Sequence, residues 1–152
     1  MRPDSLAAFD AALAPREEVF LFDEQLVSSA LYDTERPEGG VFRWVGPLPQ
    51  VAVVTKVSRA SPVSVEVYVA VTLNDENISG MTISLNGEDA ATRVAPWAGG
   101  AAVVTATFPA RADAHRHPLS VIEITVPHAA RPNATDERML SVGIHKVVVH
   151  ER

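Results

Sequence analysis

The sequence predicts an all-β fold, a sandwich of two antiparallel sheets preceded by one short helix. Three observations carry this. Val63, Val65, Val67, Val69, Val71 and Leu73 recur at every second position with Ser64, Glu66, Tyr68, Ala70 and Thr72 between them, which is the period of a strand with one buried face. Asn86-Gly87, between Ile83-Ser84-Leu85 and Ala90-Ala91-Thr92, signals a hairpin, because both residues accept the positive φ of a type I′ turn. Eleven prolines and eight glycines fall mostly between the apolar runs, as in Arg36-Pro37-Glu38-Gly39-Gly40, Gly46-Pro47-Leu48-Pro49 and Ala95-Pro96-Trp97-Ala98-Gly99-Gly100, where they punctuate strands.

Taken in chain order, the first element is a helix over 4–14. Asp4 or Ser5 can cap it, Leu6, Phe9 and Leu13 recur at near-helical spacing, and Pro15 ends it. Strands are expected next at Val19–Phe22, Ser28–Tyr32, Val41–Val45 and Val51–Val57, each rich in β-branched or aromatic residues. The long alternating run from Val63 follows, then Met81–Leu85, which enters the Asn-Gly turn. Ala101–Phe108, Leu119–Val126 and Val142–Val149 bring the expected total to about nine or ten strands. Many short strands without intervening helices pack as two layers, and a jelly roll is favoured over an immunoglobulin-like order. With 152 residues and no internal repeat, residues 1–152 are read as one domain, its strands occupying 18–150.

Composition narrows the class of function. A chain that is 47% hydrophobic and 21% charged is too apolar to be disordered. Its formal net charge of −6 repels a phosphate backbone or an anionic lipid surface, and its thirteen Lys and Arg are scattered, so neither nucleic acid nor a membrane is an expected partner. No apolar run is long enough to span a bilayer, and Met1-Arg2-Pro3-Asp4-Ser5 lacks the apolar region of a secretory signal, so the expectation is a soluble, cytoplasmic chain. The absence of cysteine removes disulfides, thiolate metal sites and a thiol nucleophile.

Several residues carry chemistry. Phe42 and Trp44 flank Arg43, so a strand there sets both rings on one sheet face and the guanidinium on the other. Trp97, in a Pro-Gly loop, fits exposure better. Two readings stand side by side for Trp44, Tyr68 and Trp97: a flat ring offered to the apolar C–H face of a pyranose, or rings that pack and cap the sandwich. Asp136 and Arg138, just before the last strand, can pair with Arg43 or Glu38 in a network that pins their loop to the sheet. Asn74-Asp75-Glu76-Asn77 offers oxygens to a hard cation, although a solvated hairpin tip is the plainer reading. His115-x-His117 beside Asp113, and His145 with His150, lack a third ligand at a defined spacing, so no metal or other cofactor is expected. No G-x-S-x-G, P-loop, H-E-x-x-H or G-x-G-x-x-G pattern occurs and no carboxylate pair is marked out, so an enzyme is not expected.

Two stretches carry a family likeness. Glu38-Gly39-Gly40-Val41-Phe42-Arg43-Trp44 places an acidic residue before an aromatic-Arg-Trp strand. Pro132 through Ile144 runs Pro, spacer, Asp136-x-Arg138-x-Leu140, with Ser141 where the pattern has glycine, into a terminal strand. Together they resemble the jelly-roll accessory domains attached to bacterial surface-polysaccharide glycosyltransferases, over roughly Glu38 to Val149. The resemblance implies a non-catalytic sandwich that works beside glycan chemistry, with a glycan or a glycosyltransferase as partner. Arg43, Trp44, Tyr68, Trp97, Asp136 and Arg138 are the ligand-binding candidates. The alternative is a protein-interaction or assembly module without sugar binding, suggested by open strand edges and the amphipathic start.

Overall fold

The computed structural model describes residues 14–38 and 40–152. The helix expected over 4–14 lies outside the described residues, apart from its last position. The described chain is mostly strand and forms two antiparallel sheets facing one another.

Eleven strands follow in order: β1 (Glu17–Leu21), β2 (Leu31–Glu35), β3 (Phe42–Val45), β4 (Gln50–Thr55), β5 (Val63–Thr72), β6 (Thr82–Leu85), β7 (Glu88–Asp89), β8 (Thr92–Ala95), β9 (Ala102–Phe108), β10 (Ser120–Thr125) and β11 (Val142–Glu151). The larger sheet runs β2-β3-β11-β5-β9-β8, with β1 also on β11, and the smaller runs β4-β10-β6-β7. From β3 to β6 every strand lies in the sheet opposite its predecessor.

The two-residue period explains the core. On β5, Val63, Val65, Val67 and Val69 face inward and meet Val104, Ala106 and Phe108 of β9 and Ile144, Val147 and Val149 of β11. From the smaller sheet come Val51, Val53, Ile83, Leu85, Ile122 and Ile124. Each such side chain taken out of water contributes about 1.5–3 kcal/mol, which fixes the register, since a slip by one residue would turn every one of them to solvent.

The Asn-Gly signal is realised. Asn86 and Gly87 have φ of 51° and 82° and join β6 to β7 in an antiparallel two-residue hairpin. The segment Asn74–Asn77 is not a hairpin tip: it leads into one helical turn, α1 (Glu76–Ser79), which connects β5 in one sheet to β6 in the other. Asn77 is fully buried there. Its Oδ1 accepts from the His128 N–H at 2.8 Å, and its Nδ2 donates to the carbonyls of His128 (2.8 Å) and Ser141 (3.4 Å), so the crossing is stitched from within.

One irregularity positions the site. Val71 pairs with Gly143, Val69 with Ile144, and Tyr68 with Lys146, so Ala70 on β5 and His145 on β11 are each an extra residue, one on either side of the Val69–Ile144 pair. Two β-bulges therefore stand next to each other on facing strands, a device that kinks a sheet locally and re-aims side chains. His145 is also where β11 changes its partner on the other edge, from β3 (Gly143, Ile144) to β1 (Lys146 onward), and its carbonyl accepts from the Phe22 N–H at 3.0 Å.

Candidate functional site

On the outer face of the larger sheet, the bulges and the loop after β8 enclose a groove of about 470 Å³. Ala70, Val71 and His145 come from the bulged stretch, Val41 and Phe42 from the entry to β3, Pro37 and Glu38 from the loop before it, and Trp97, Ala98 and Gly99 from the loop after β8. Glycine makes this possible at two positions. A Cβ on Gly99 would stand 2.6 Å from the indole of Trp97, and one on Gly100 would stand 2.6 Å from the same ring and 2.8 Å from both the Ala70 Cα and the Val69 carbonyl oxygen. The loop backbone lies flat against the ring because neither residue has a side chain.

Trp97 is half-buried and gripped from two sides. Its ring meets Tyr68 edge-on at 5.3 Å between centroids and His145 at 5.5 Å with a tilt of 31°. Such pairs are worth about 0.5–1.5 kcal/mol beyond area burial and hold the indole in one orientation. Tyr68 carries the Lys146 ammonium 4.6 Å from its ring centroid on the same face. Burial, aided by the charges of Glu66 and Glu17, pushes the Tyr68 phenol above its ordinary value, so it stays neutral at physiological pH.

His145 Nδ1 lies 2.6 Å from the Val41 carbonyl oxygen. A carbonyl only accepts, so Nδ1 carries the proton, and in the neutral ring Nε2 is left with a lone pair. The groove thus combines an indole, the Phe42 ring, the Glu38 carboxylate and one oriented imidazole. It can bind an apolar flat surface and satisfy hydroxyls at the rim. Among the described residues no group of three His, Asp or Glu comes together to hold a metal. His117 stands 3.7 Å from Asp113, and His150 stands 3.5 Å from Glu66.

The candidates divide among three places. Tyr68 and Trp97 come together at the groove. Phe42 and Trp44 share one face and Arg43 the other, as their alternation requires, and their rings meet edge-on at 5.6 Å. Trp44, however, is only 8% exposed, so it offers no platform. Arg43 is equally buried. Its Nε donates to the Tyr32 carbonyl at 2.7 Å, and NH1 donates to the carbonyls of Leu26 (2.6 Å) and Asp23 (3.1 Å), which pins the 23–31 loop beneath β3.

Asp136 and Arg138 sit apart from the groove. Arg138 grips Asp136 with Nε at 3.0 Å and NH2 at 2.7 Å, reaches Glu35 of β2 at 3.3 Å, and lies over the Tyr32 ring at 5.6 Å. The expected pinning of this loop to the sheet is realised through Glu35 and not through Arg43 or Glu38. The guanidinium hydrogen bonds hold the Asp136 carboxyl below its ordinary value, and the same bonds raise Arg138. Ser141, fully buried, donates its hydroxyl to the Val45 carbonyl at 3.1 Å, which gives that serine a structural task.

A second cleft, of about 260 Å³, lies at the end of the sandwich near the β6–β7 hairpin. Buried Arg59 donates from NH1 to Glu88 at 3.1 Å and from NH2 to the Pro109 carbonyl at 2.6 Å, while Arg111 approaches the same Glu88 oxygen at 3.6 Å. Its guanidinium carbon also lies 5.8 Å from the centroid of the Phe108 ring. The charges of this cleft are spent on one another, which leaves the aromatic groove as the candidate site. His145 and the Glu38 rim are members that alternation alone does not reveal, because the bulge that presents His145 is a tertiary feature. No protein-family model matches the chain, and no curated protein matches it.

Proposed function

We propose that the protein is a non-catalytic carbohydrate-associated module that holds a glycan in the groove beside Trp97. The observation that carries this reading is the indole itself: half-exposed, locked between Tyr68 and His145, and lining a groove whose volume falls within the roughly 300–1,000 Å³ of small-molecule sites. The apolar C–H face of a pyranose stacks on such a ring, and Glu38 and the Nε2 of His145 accept from its hydroxyls.

The strand orders β3-β11-β5-β9 and β4-β10-β6-β7 support the jelly-roll form of the sandwich, as does the likeness to accessory domains of polysaccharide glycosyltransferases. A glycosyltransferase of surface-polysaccharide synthesis is the partner that this reading entails, and a cytoplasmic location goes with it. No helix among the described residues is long and apolar enough to cross a membrane.

The test is a glycan array followed by calorimetric titration of the sugars it retains, on wild type and Trp97→Ala. The reading expects binding that falls at least tenfold in Trp97→Ala, the loss of about 1.4 kcal/mol or more, while the variant still melts cooperatively. No retained sugar, or an affinity unchanged in Trp97→Ala, ends the lectin reading.

A further inference from the structure

An open strand edge is a template for another strand, and folded proteins defend such edges with charge, proline, bulges or shortness. Among the described residues the open edges are β1, β2, β4, β7 and β8. Four of them carry charge: Glu17 and Glu18 on β1, Asp33 and Glu35 on β2, Glu88 and Asp89 on β7, and Arg93 on β8. β4 reads Gln50-Val51-Ala52-Val53-Val54-Thr55, with no charge and no proline, and it pairs with β10 over six residues without a register shift.

The phase of its backbone follows from one bond. The Val126 N–H donates to the Pro49 carbonyl at 2.9 Å, so position 49 belongs to the set that bonds to β10. By alternation Val51, Val53 and Thr55 continue that set, and Gln50, Ala52 and Val54 turn their N–H and C=O groups away from the sheet. The next amide, Lys56, is already taken by the Glu18 carboxylate, which closes that end. Open backbone therefore runs from Gln50 to Val54. Beside it on the outer face Val54 is 51% exposed and sits across from Val121, itself 38% exposed, while Ala52 sits across from Glu123, whose carboxylate accepts from Gln50 Nε2 at 2.8 Å.

We propose that β4 pairs antiparallel with β4 of a second copy of this chain across a two-fold axis, joining two four-stranded sheets into one of eight strands. Charge selects this occupant. In a two-fold pairing a strand meets a second copy of its own sequence, so a strand of one net sign meets that same sign. With a net charge of −6, two copies repel in most orientations, and β4 is the one edge among the described residues that brings no like charges together. A register centred on Val53 keeps the two faces in phase and sets Ala52 opposite Val54 and Val53 opposite itself. The contact is smaller than a standard interface of about 1,600 Å², so the dimer is reversible.

Sedimentation velocity of the full chain tests it, with wild type, Val54→Pro, Val54→Lys and Thr82→Lys measured between about 10 µM and 1 mM, the range in which an interface of this class assembles. Val54→Pro removes an N–H that bonds nothing within the sheet and Val54→Lys puts two ammonium groups on diagonal neighbours of one face, while Thr82→Lys adds the same charge on the inner strand β6. The proposal expects the mean mass to approach two protomers in wild type and Thr82→Lys, and one protomer in both Val54 variants, with unchanged melting. Should Val54→Pro fail to fold, Val54→Lys decides. A wild type that stays monomeric throughout, or a dimer that survives in Val54→Lys, overturns it.

Discussion

The loop that carries Trp97 makes a comparison between two adjacent glycines informative. In Gly100→Ala the new Cβ meets backbone, with the Ala70 Cα and the Val69 oxygen both at 2.8 Å, whereas ordinary contact begins at 3.4 Å. In Gly99→Ala all three nearest atoms belong to the Trp97 ring, the closest at 2.6 Å, and a ring can swing. Neither glycine has a left-handed φ, so each substitution gains about 0.4–1 kcal/mol from a stiffer unfolded chain. Against that gain, overpacking on backbone costs about 1–3 kcal/mol, so Gly100→Ala nets a loss of about 1–2 kcal/mol, a fall in Tm of about 2–8 °C for a domain of this size. Displacing the indole in Gly99→Ala forfeits an aromatic pair worth about 0.5–1.5 kcal/mol, which the chain-entropy gain nearly offsets. Gly99→Ala should therefore melt close to wild type while its tryptophan fluorescence and near-ultraviolet dichroism change. Differential scanning calorimetry decides: if Gly100→Ala and Gly99→Ala melt together, the loop backbone does not pack against the β5 bulge at Gly100.

Two further outcomes follow from groups away from the groove. Asn77→Ala strips the buried partner from the His128 N–H and from two carbonyls, and urea unfolding should show a loss of about 2–4 kcal/mol with an unchanged m value. For Asp136 the sign is set by the depressed folded-state value: the pairing with Arg138 adds stability above the ordinary carboxyl value of 3.8 and loses it as pH falls through the lower folded one. The Asp136 side-chain NMR titration should have its midpoint below 3.8, and Arg138→Gln should move it upward; an unmoved midpoint would refute the assignment.

Much of the sandwich was legible because its strands obey a simple period. The run from Val63 buries its odd residues through Val69, and the Asn86-Gly87 turn forms between paired strands. What the period cannot convey is where it breaks. Read with strict alternation, Val142-Gly143-Ile144-His145-Lys146-Val147 would send Lys146 inward with Ile144 and turn Val147 out. The bulge at His145 reverses this and buries Val147, because a buried unpaired ammonium costs far more than a local break in the β5–β11 ladder. The short β7 and β8 lack an apolar run long enough to announce them.

The site was legible in part for a related reason. Trp97 sits in a Pro-Gly loop, and Tyr68 falls on the polar phase of β5, so both face outward. Arg43 reads as ligand-facing because arginine beside aromatics suits recognition. Its donors go instead to carbonyls of the 23–31 loop, whose need for partners is invisible until that loop is folded over β3. Trp44 could not be placed by alternation, which sets its face but not what covers it.

The twin bulges on β5 and β11 behave like two compensating frameshifts. Above and below the Val69–Ile144 pair the strands are in the same register, so the residue gained at Ala70 is cancelled by the one gained at His145. Excising either alone would leave Val69, Val142, Ile144 and Val147 on the inner face and Val71 and Lys146 on the outer, because each bulge adds one residue to the outer face only. Excising both would leave an unbroken, flatter ladder that has lost the kink on which the groove is built. The concavity is thus an ornament the scaffold can gain or shed one residue at a time, without renegotiating the core beneath it.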